Sequence, residues 1–327
     1  MKRLHWAFGS VLAMLLSLGC GGSGANGTGA TTTASAHGGT GGSAGGNTGT
    51  AGATGVGGSM VCPACGKPEA TGALSDGALK EVSGVVASLA HPGVFWVHND
   101  SGDSARFFAV DEHGTRLATI TVAGAQAIDW EDIARGPCPS GTCIYLADIG
   151  DNQEKRTSYT IYRVPEPATV ADATVTAEAL PFTYPDGSHN AETLLVHPTT
   201  GAVTVVTKVY IGESSIFEMP LPLTPGTTAV MKDAGGVKPP EGSVLFTGGD
   251  VHPSGKGVIL RTYSELWYYP IAQNGTVASA LAGAPCAMPV ASEEQGEAVG
   301  FLADGKGYVT ISEGAGSKVN KAVCSGL

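Results

Sequence analysis

From about residue 70 to its end the chain repeats itself roughly every fifty residues. Five turn segments mark the period: Ala90-His91-Pro92-Gly93, Pro137-Cys138-Pro139-Ser140-Gly141, His197-Pro198-Thr199-Thr200-Gly201, His252-Pro253-Ser254-Gly255 and Ala303-Asp304-Gly305-Lys306-Gly307. A short β-rich run follows each: Val94-Phe95-Trp96-Val97, Cys143-Ile144-Tyr145-Leu146, Val203-Thr204-Val205-Val206, Val258-Ile259-Leu260 and Tyr308-Val309-Thr310-Ile311. Period-2 alternation and β-branched or aromatic enrichment read as strands, and the Pro/Gly clusters read as turns. Asp111-Glu112-His113-Gly114 and Gln273-Asn274-Gly275 read as hairpin turns. No segment after the first twenty residues has the apolar spacing of an amphipathic helix. Four-stranded units repeated at this length form a β-propeller. The expectation is an all-β fold of five blades of four antiparallel strands, or six if the N-terminal segment adds more than one strand. The last unit is too short for its fourth strand, and a strand near Thr71-Gly72-Ala73-Leu74 is expected to complete it. The three His-Pro pairs fall in equivalent turns of separate blades, too far apart to share an ion.

The first strand of each blade lines a propeller's axis. Aligning the units backwards from their turns puts one equivalent residue per blade there: Ser83, Glu131, Glu192, Thr247 and Glu297. All carry oxygen and three are carboxylates, which repel on one axis unless a cation joins them. Ca²⁺ suits such a set, because it accepts six to eight oxygens in flexible geometry. The alternative is a polar channel compensated by Lys or Arg. Strand two of a blade runs antiparallel to strand one, so second-strand ends share a face with this ring. They supply Asn99 and Asp100, Asp148 and Asp151, Lys208 with Tyr210, and Arg261 with Tyr263. His98 and Glu313 fall on the same face, and Asp129 and Asp132 flank Glu131, where either could orient its carboxylate or accept a proton.

The order Ser-Glu-Glu-Thr-Glu over five blades resembles the central calcium site of the calcium-activated nucleotidases (soluble apyrases), which are five-bladed propellers. Val97-His98-Asn99-Asp100-Ser101-Gly102 is similar to that family's first-blade Asp-Asp-Arg-Thr-Gly loop, with Ser101 where the family has Arg. Ile128-Asp129-Trp130-Glu131-Asp132-Ile133-Ala134 is similar to its second-blade segment. Phytase-like propellers are a weaker match. The resemblance implies bound calcium and action on phosphate anhydrides.

The N-terminus reads as an address. Lys2 and Arg3 precede the apolar run Val11-Leu12-Ala13-Met14-Leu15-Leu16, which is too short to span a membrane and reads as a signal peptide over residues 1–19. Ser17-Leu18-Gly19-Cys20 resembles the lipobox of bacterial lipoproteins, which implies lipid on Cys20 and, with Gly21 next, sorting to the outer membrane or cell surface. Residues 21–59 are almost only Gly, Ser, Thr, Ala and Asn, so 20–59 reads as a lipidated Cys and flexible tether reaching roughly 30–40 Å. The propeller occupies 60–327. Of seven Cys, six remain after Cys20, an even number that favours disulfides in an exported protein. Cys138 and Cys143 are expected to pair with each other, and Cys62, Cys65, Cys286 and Cys324 to tie the two ends together in a pairing left open. Cys62-Pro-Ala-Cys65 also permits a redox pair or half a zinc site, although it follows a tether rather than a strand.

Eighteen Lys and Arg against 29 Asp and Glu give a net charge of −11, which excludes a nucleic-acid footprint and adsorption to an anionic membrane by charge. The expected membrane contact is the lipid alone, and the expected state is a monomer. Within the repeating domain there is no Gly-x-Ser-x-Gly, His-Glu-x-x-His or Walker loop. Two functions therefore stand open. One is a calcium-binding module whose polar face, with Asn99, Asp148, Asp151, Lys208, Arg261 and Tyr263, holds a polar or phosphorylated small molecule or an envelope protein. The other is a calcium-dependent phosphohydrolase using Asp100, Asp129 and Glu131, with Lys208, Arg261 and Arg156 neutralising phosphate. A purely structural role would show neither ligand nor turnover.

Overall fold

A computed structural model describes residues 62–327. The signal peptide (1–19), Cys20 and the tether (20–59) lie outside the described residues.

Five sheets form the five blades of a propeller. The inner strands are Val82–Ala87, Trp130–Pro137, Ala191–Val196, Phe246–Val251 and Gly296–Phe301, in blade order. Each packs against the next, and the fifth packs against the first. Both faces of every blade are covered by neighbours, so successive residues of one strand enter different cores. Val85 and Val97 join blade five's apolar residues, whereas Val86 and Trp96 join blade two's. One apolar core fills each of the five blade interfaces. This double burial explains why strand segments such as Val94–Val97 and Val203–Val206 carry apolar or β-branched residues on both faces.

The ring closes with the N-terminal segment. Glu69–Ala73 pairs antiparallel with Lys318–Ser325 and supplies blade five's outer strand, as the short last repeat required. Ala64–Cys65 pairs further along the same strand. Disulfides Cys62–Cys286 and Cys65–Cys324 fasten this segment to blades four and five, and Cys138–Cys143 clips a turn in blade two. Both cysteines of the Cys62-Pro-Ala-Cys65 motif are therefore structural. Disulfides of this kind belong to an oxidising, extracytoplasmic compartment. Among the described residues no helix is long and apolar enough to cross a membrane.

Two details differ from expectation. Blades one and two each carry a fifth, parallel edge strand, Ala173–Thr176 and Ala229–Val230, laid down by the following inter-strand connections. One short helix, Val277–Leu281, replaces a turn in blade four, with Thr276 and Ser279 capping it reciprocally. Five residues are too few to leave a periodic signature. The His-Pro turns do serve turn chemistry: His252 Nε2 lies 2.9 Å from the Gly305 carbonyl of the next blade's turn.

Candidate functional site

Every inner strand carries a β-bulge near its start. The ladder register steps over Ser83, Glu131, Glu192, Thr247 and Glu297. These are the five positions that the repeat alignment made equivalent. A bulge leaves one residue outside the ladder and re-aims its side chain, so one fold device delivers all five to one end of the axis.

The residue after each bulge is small in four blades: Gly84, Thr193, Gly248 and Ala298. A Cβ on Gly248 would stand 2.7 Å from the Glu297 carbonyl oxygen, so glycine lets the inner strands of blades four and five close up. In blade two the same position is Asp132. Its carboxylate accepts from Leu194 N at 2.9 Å and Gly249 N at 3.3 Å, in blades three and four, and so lies across the axis. Asp250 accepts from Phe301 N of blade five at 2.8 Å in the same manner. Inner-edge amides have no ladder partner, and these two buried carboxylates satisfy them. Burial pushes Asp132 well above the usual carboxylate range and Asp250 up to about 6. Asp132 is thus a seal beneath the ring rather than a companion of Glu131.

Above this seal the ring residues divide. The Ser83 hydroxyl donates to the Glu131 carbonyl, and the Thr247 hydroxyl to the Gly296 carbonyl at 2.8 Å, each stitching a blade to its neighbour. Glu192 pairs with Lys208, whose ammonium also donates to Tyr263 Oη at 2.7 Å and lies over that ring. Burial works against the charged lysine, but Glu192 and Glu297 outweigh it and hold the ammonium above its usual range. Burial pushes Glu192 up to about 7, against the pull of Lys208, and Glu297 up to about 9, with Glu192 adding to it. One oxygen of Glu297 is buried with no hydrogen-bond partner among the described residues.

Glu131 turns instead toward blade one. Its carboxylate converges with those of Asp129 and Asp100, with ligand atoms of all three within 4.8 Å of one another. Asp100 sits just past the second strand of blade one, fixed by its amide donating to Glu81 O at 2.7 Å. Asp129 is held in the approach to the second inner strand, its amide donating to Asp148 Oδ1 at 3.1 Å and its carbonyl accepting from Gly150 N at 3.1 Å. A Cβ on Gly150 would collide with both the Glu131 and Asp129 carboxylates, so glycine leaves the space they share. Among the described residues none of the three forms an ion pair. Burial raises all three first: Asp100 to about 6, with Glu313 and Glu81 adding to it; Asp129 to about 6, with Asp100 adding; and Glu131 well above its usual range, with Glu192 and then the two aspartates adding. Lys208 and Arg156 act on these carboxylates from a distance while paired to Glu192 and Asp148, and clustered carboxylates without a direct ion pair are a donor set for a hard cation. The sequence names these three together, as the catalytic set of a hydrolase rather than as the metal site: only Glu131 occupies a repeat position, and Asp100 and Asp129 come from loops.

The remaining nominated residues organise the structure. Asp148 is buried and salt-bridged to Arg156 at 2.8 Å. Asp151 accepts from Arg156 N at 2.7 Å and Tyr159 Oη at 3.0 Å. Asn99 donates to Ala78 O at 2.7 Å and Asp103 at 2.8 Å. Arg261, expected on the ligand face, is fully buried, donating to the Ala298 carbonyl at 2.9 Å and paired with Glu293. His98 is also buried, edge-on to Trp130 at 5.8 Å, and desolvation lowers its pKa to about 4.

Fold and site together define an extracytoplasmic five-bladed propeller with an acidic funnel at one end of its axis. The chain matches no protein-family model, and no curated protein matches it significantly.

Proposed function

We infer that this protein is a membrane-tethered lipoprotein of the cell envelope whose propeller binds calcium and uses its funnel to hold a polar ligand. Lipid on Cys20 and the tether of residues 21–59 are the anchor. The cation lies off the axis, at Asp100, Asp129 and Glu131, rather than equally among the five ring residues. The observation that carries this reading is the convergence of those three carboxylates, none of them directly ion-paired among the described residues. Calcium fits because the donors are all oxygen and the half-exposed Asp100 and Asp129 leave room for water or ligand in the remaining positions.

A binding module accounts for the site better than a phosphohydrolase does. The three cations nominated for phosphate are already engaged: Lys208 with Glu192, Arg156 with Asp148, and Arg261 in a buried pair with Glu293. Likeness to the calcium-activated nucleotidases therefore extends to the ring positions and not to phosphate neutralisation. The test is calcium titration by calorimetry on the unlipidated chain (Cys20→Ser), beside Asp129→Asn and Gly150→Ala. Wild type should bind one calcium, and each variant should lose at least about tenfold in affinity with the fold intact. Turnover of nucleoside triphosphates or p-nitrophenyl phosphate by the calcium-loaded wild type would return the hydrolase to first place.

A further inference from the structure

The two bridges that close the ring cross the order in which the chain is made. Cys62 and Cys65 are separated only by Pro63 and Ala64, yet they do not pair with each other. Cys62 joins Cys286 and Cys65 joins Cys324, at separations of 224 and 259 residues. Cys138 and Cys143, by contrast, close a single turn. Both long bridges need structure that forms late. Cys65 stands opposite Cys324 only once Ala64–Cys65 has paired with Lys318–Ser325. Cys286 is held opposite Tyr268 and buried in the core between blades four and five, and Cys65 and Cys324 pack on that same core. The folded ring brings these cysteines together; the sequence keeps them at its two ends.

Chain order decides which thiols meet first. An exported chain enters the oxidising compartment from its N-terminus, so Cys65 meets Cys62 long before Cys286 or Cys324 arrives. Loop length acts in the same direction, since contact between two chain positions falls roughly as the 3/2 power of their separation. The loop of roughly forty residues between Cys286 and Cys324 is favoured about fifteenfold over a closure of 224 residues, and the Cys62–Cys65 contact by more. The short-range set, Cys62–Cys65 with Cys286–Cys324, has as many S–S bonds as the native set, but it leaves the N-terminal strand unfastened.

The step from one set to the other is thiol–disulfide exchange. An incoming thiolate attacks the Cys65 sulfur, forms a mixed disulfide and releases the Cys62 thiolate. Cys62 attacks Cys286, makes the first native bridge and releases the Cys324 thiolate. Cys324 attacks Cys65 in the mixed disulfide, makes the second native bridge and returns the incoming thiolate. Two S–S bonds break and two form, and no electrons are gained or lost. The chain has no thiol of its own to start this, because six of its seven cysteines are in bridges and Cys20 carries the lipid in the reading above.

Resting on that export reading, we propose that this protein is a substrate of an envelope thiol–disulfide isomerase, a partner that keeps a reduced active-site dithiol in the oxidising compartment, and that the crossed bridges Cys62–Cys286 and Cys65–Cys324 are the product. The attack falls on the Cys62-Pro-Ala-Cys65 loop, where Cys62 is exposed and Cys65 half-buried even in the closed ring, whereas Cys286 is buried.

The full chain, with its own leader, is produced in bacterial cells that contain or lack their envelope disulfide isomerase. It is alkylated, digested without reduction and mapped by mass spectrometry. The crossed bridges should dominate with the isomerase and fall at least about tenfold without it, in favour of Cys62–Cys65 and Cys286–Cys324. Cys138–Cys143 should form in both. Cys62→Ser with Cys286→Ser removes the competing short pairs, so its Cys65–Cys324 bridge should form equally in both cells. Mispaired wild type purified from the deficient cells should convert to the crossed bridges with a catalytic amount of reduced isomerase and no oxidant. Equal crossed pairing of wild type in both cells overturns the proposal, because the folding ring then sets its own bridges. So does loss of Cys65–Cys324 from the double variant in the deficient cells, or failure of the purified isomerase to convert the mispaired chain. Free thiols at all six positions overturn the export reading and the proposal with it.

Discussion

Removing the two long-range disulfides one at a time and then together tests how the ring is held shut. Cys62–Cys286 closes 224 residues and Cys65–Cys324 closes 259. Loop-closure entropy gives about 5 kcal/mol for either bridge acting alone. The second bridge to form adds less, because the chain between the two bridges is only a loop of roughly forty residues, worth about 4 kcal/mol. Cys62→Ser with Cys286→Ser, or Cys65→Ser with Cys324→Ser, should therefore each cost about 4 kcal/mol, since the surviving bridge still joins the N-terminal strand to the far end of the chain. The quadruple variant should cost about 9 kcal/mol, more than the two pairs summed by about 1 kcal/mol. Guanidinium unfolding followed by fluorescence of the buried Trp96 and Trp130 reads these values. Costs that add strictly would refute the reasoning, because they would mean that each bridge acts locally and not on a shared closure. So would a quadruple variant that loses less than about 2 kcal/mol.

Three further outcomes follow. Asp100 and Asp129 sit near 6 and Glu192 near 7, so each binds its proton more tightly in the folded than in the unfolded chain. Their contribution to stability is complete below about pH 4 and lost as pH rises through 6 to 7. Calcium must displace those protons, so the melting rise it causes should be small at pH 5 and full at pH 8, and equal rises at both would refute the assignment. Asp132→Ala strands the Leu194 and Gly249 amides and should cost about 2–5 kcal/mol, whereas Asp132→Asn, which keeps an acceptor oxygen, should cost less on chemical denaturation. Cys20→Ser should move the exported protein from the membrane pellet to the soluble fraction, and retention in the pellet would refute the lipid anchor.

Much of this fold was legible because a propeller writes the same strand and turn chemistry five times. The five turn segments fixed the period, and the period gave the five bulge positions without any knowledge that they were bulges. The closing strand was legible from a deficit: the last repeat is a strand short, and Glu69–Ala73 supplies that strand. What stayed hidden depends on contacts between unlike blades. Nothing near Lys208 in sequence names Glu192 and Tyr263 as its partners. Arg261 ends a strand in the pattern of a surface residue, yet Glu293, on the connection leading into the last inner strand, buries it. Asp100 lies on the connection between the second and third strands of blade one and Asp129 on the connection into the inner strand of blade two, so the repeat alignment does not pair them; their place in one site was legible only from the shared face and from the nearness of Asp129 to Glu131. The disulfide pairing was equally unreadable, since four cysteines at two chain ends permit three arrangements.

The bulges link the closed fold to the exposed chemistry. A straight inner strand would direct the residue now at each bulge into a blade interface, where a glutamate has no place. The extra residue turns that side chain out to the funnel and puts the following residue at the tightest point of the axis, where Gly84, Thr193, Gly248 and Ala298 are small. Five blades leave a narrow axis, and Asp132 completes it by taking amides from two other blades. The ring residues are themselves buried, and the low dielectric around them raises the ring's carboxylates. A charge arranged in this way is relieved either by a proton or by an ion entering through the mouth. Lys208 relieves the blade-three side from within. Blades one and two supply three carboxylates that Lys208 and Arg156 reach only from their pairs with Glu192 and Asp148, which is why the proposed cation is placed between those two blades. Thr247→Glu would add a further buried carboxylate near Lys208 and raise the demand for counter-charge on the axis. The same change at Ser83 would add it beside Asp100 and Glu131, and should tighten calcium binding if the off-axis assignment is right.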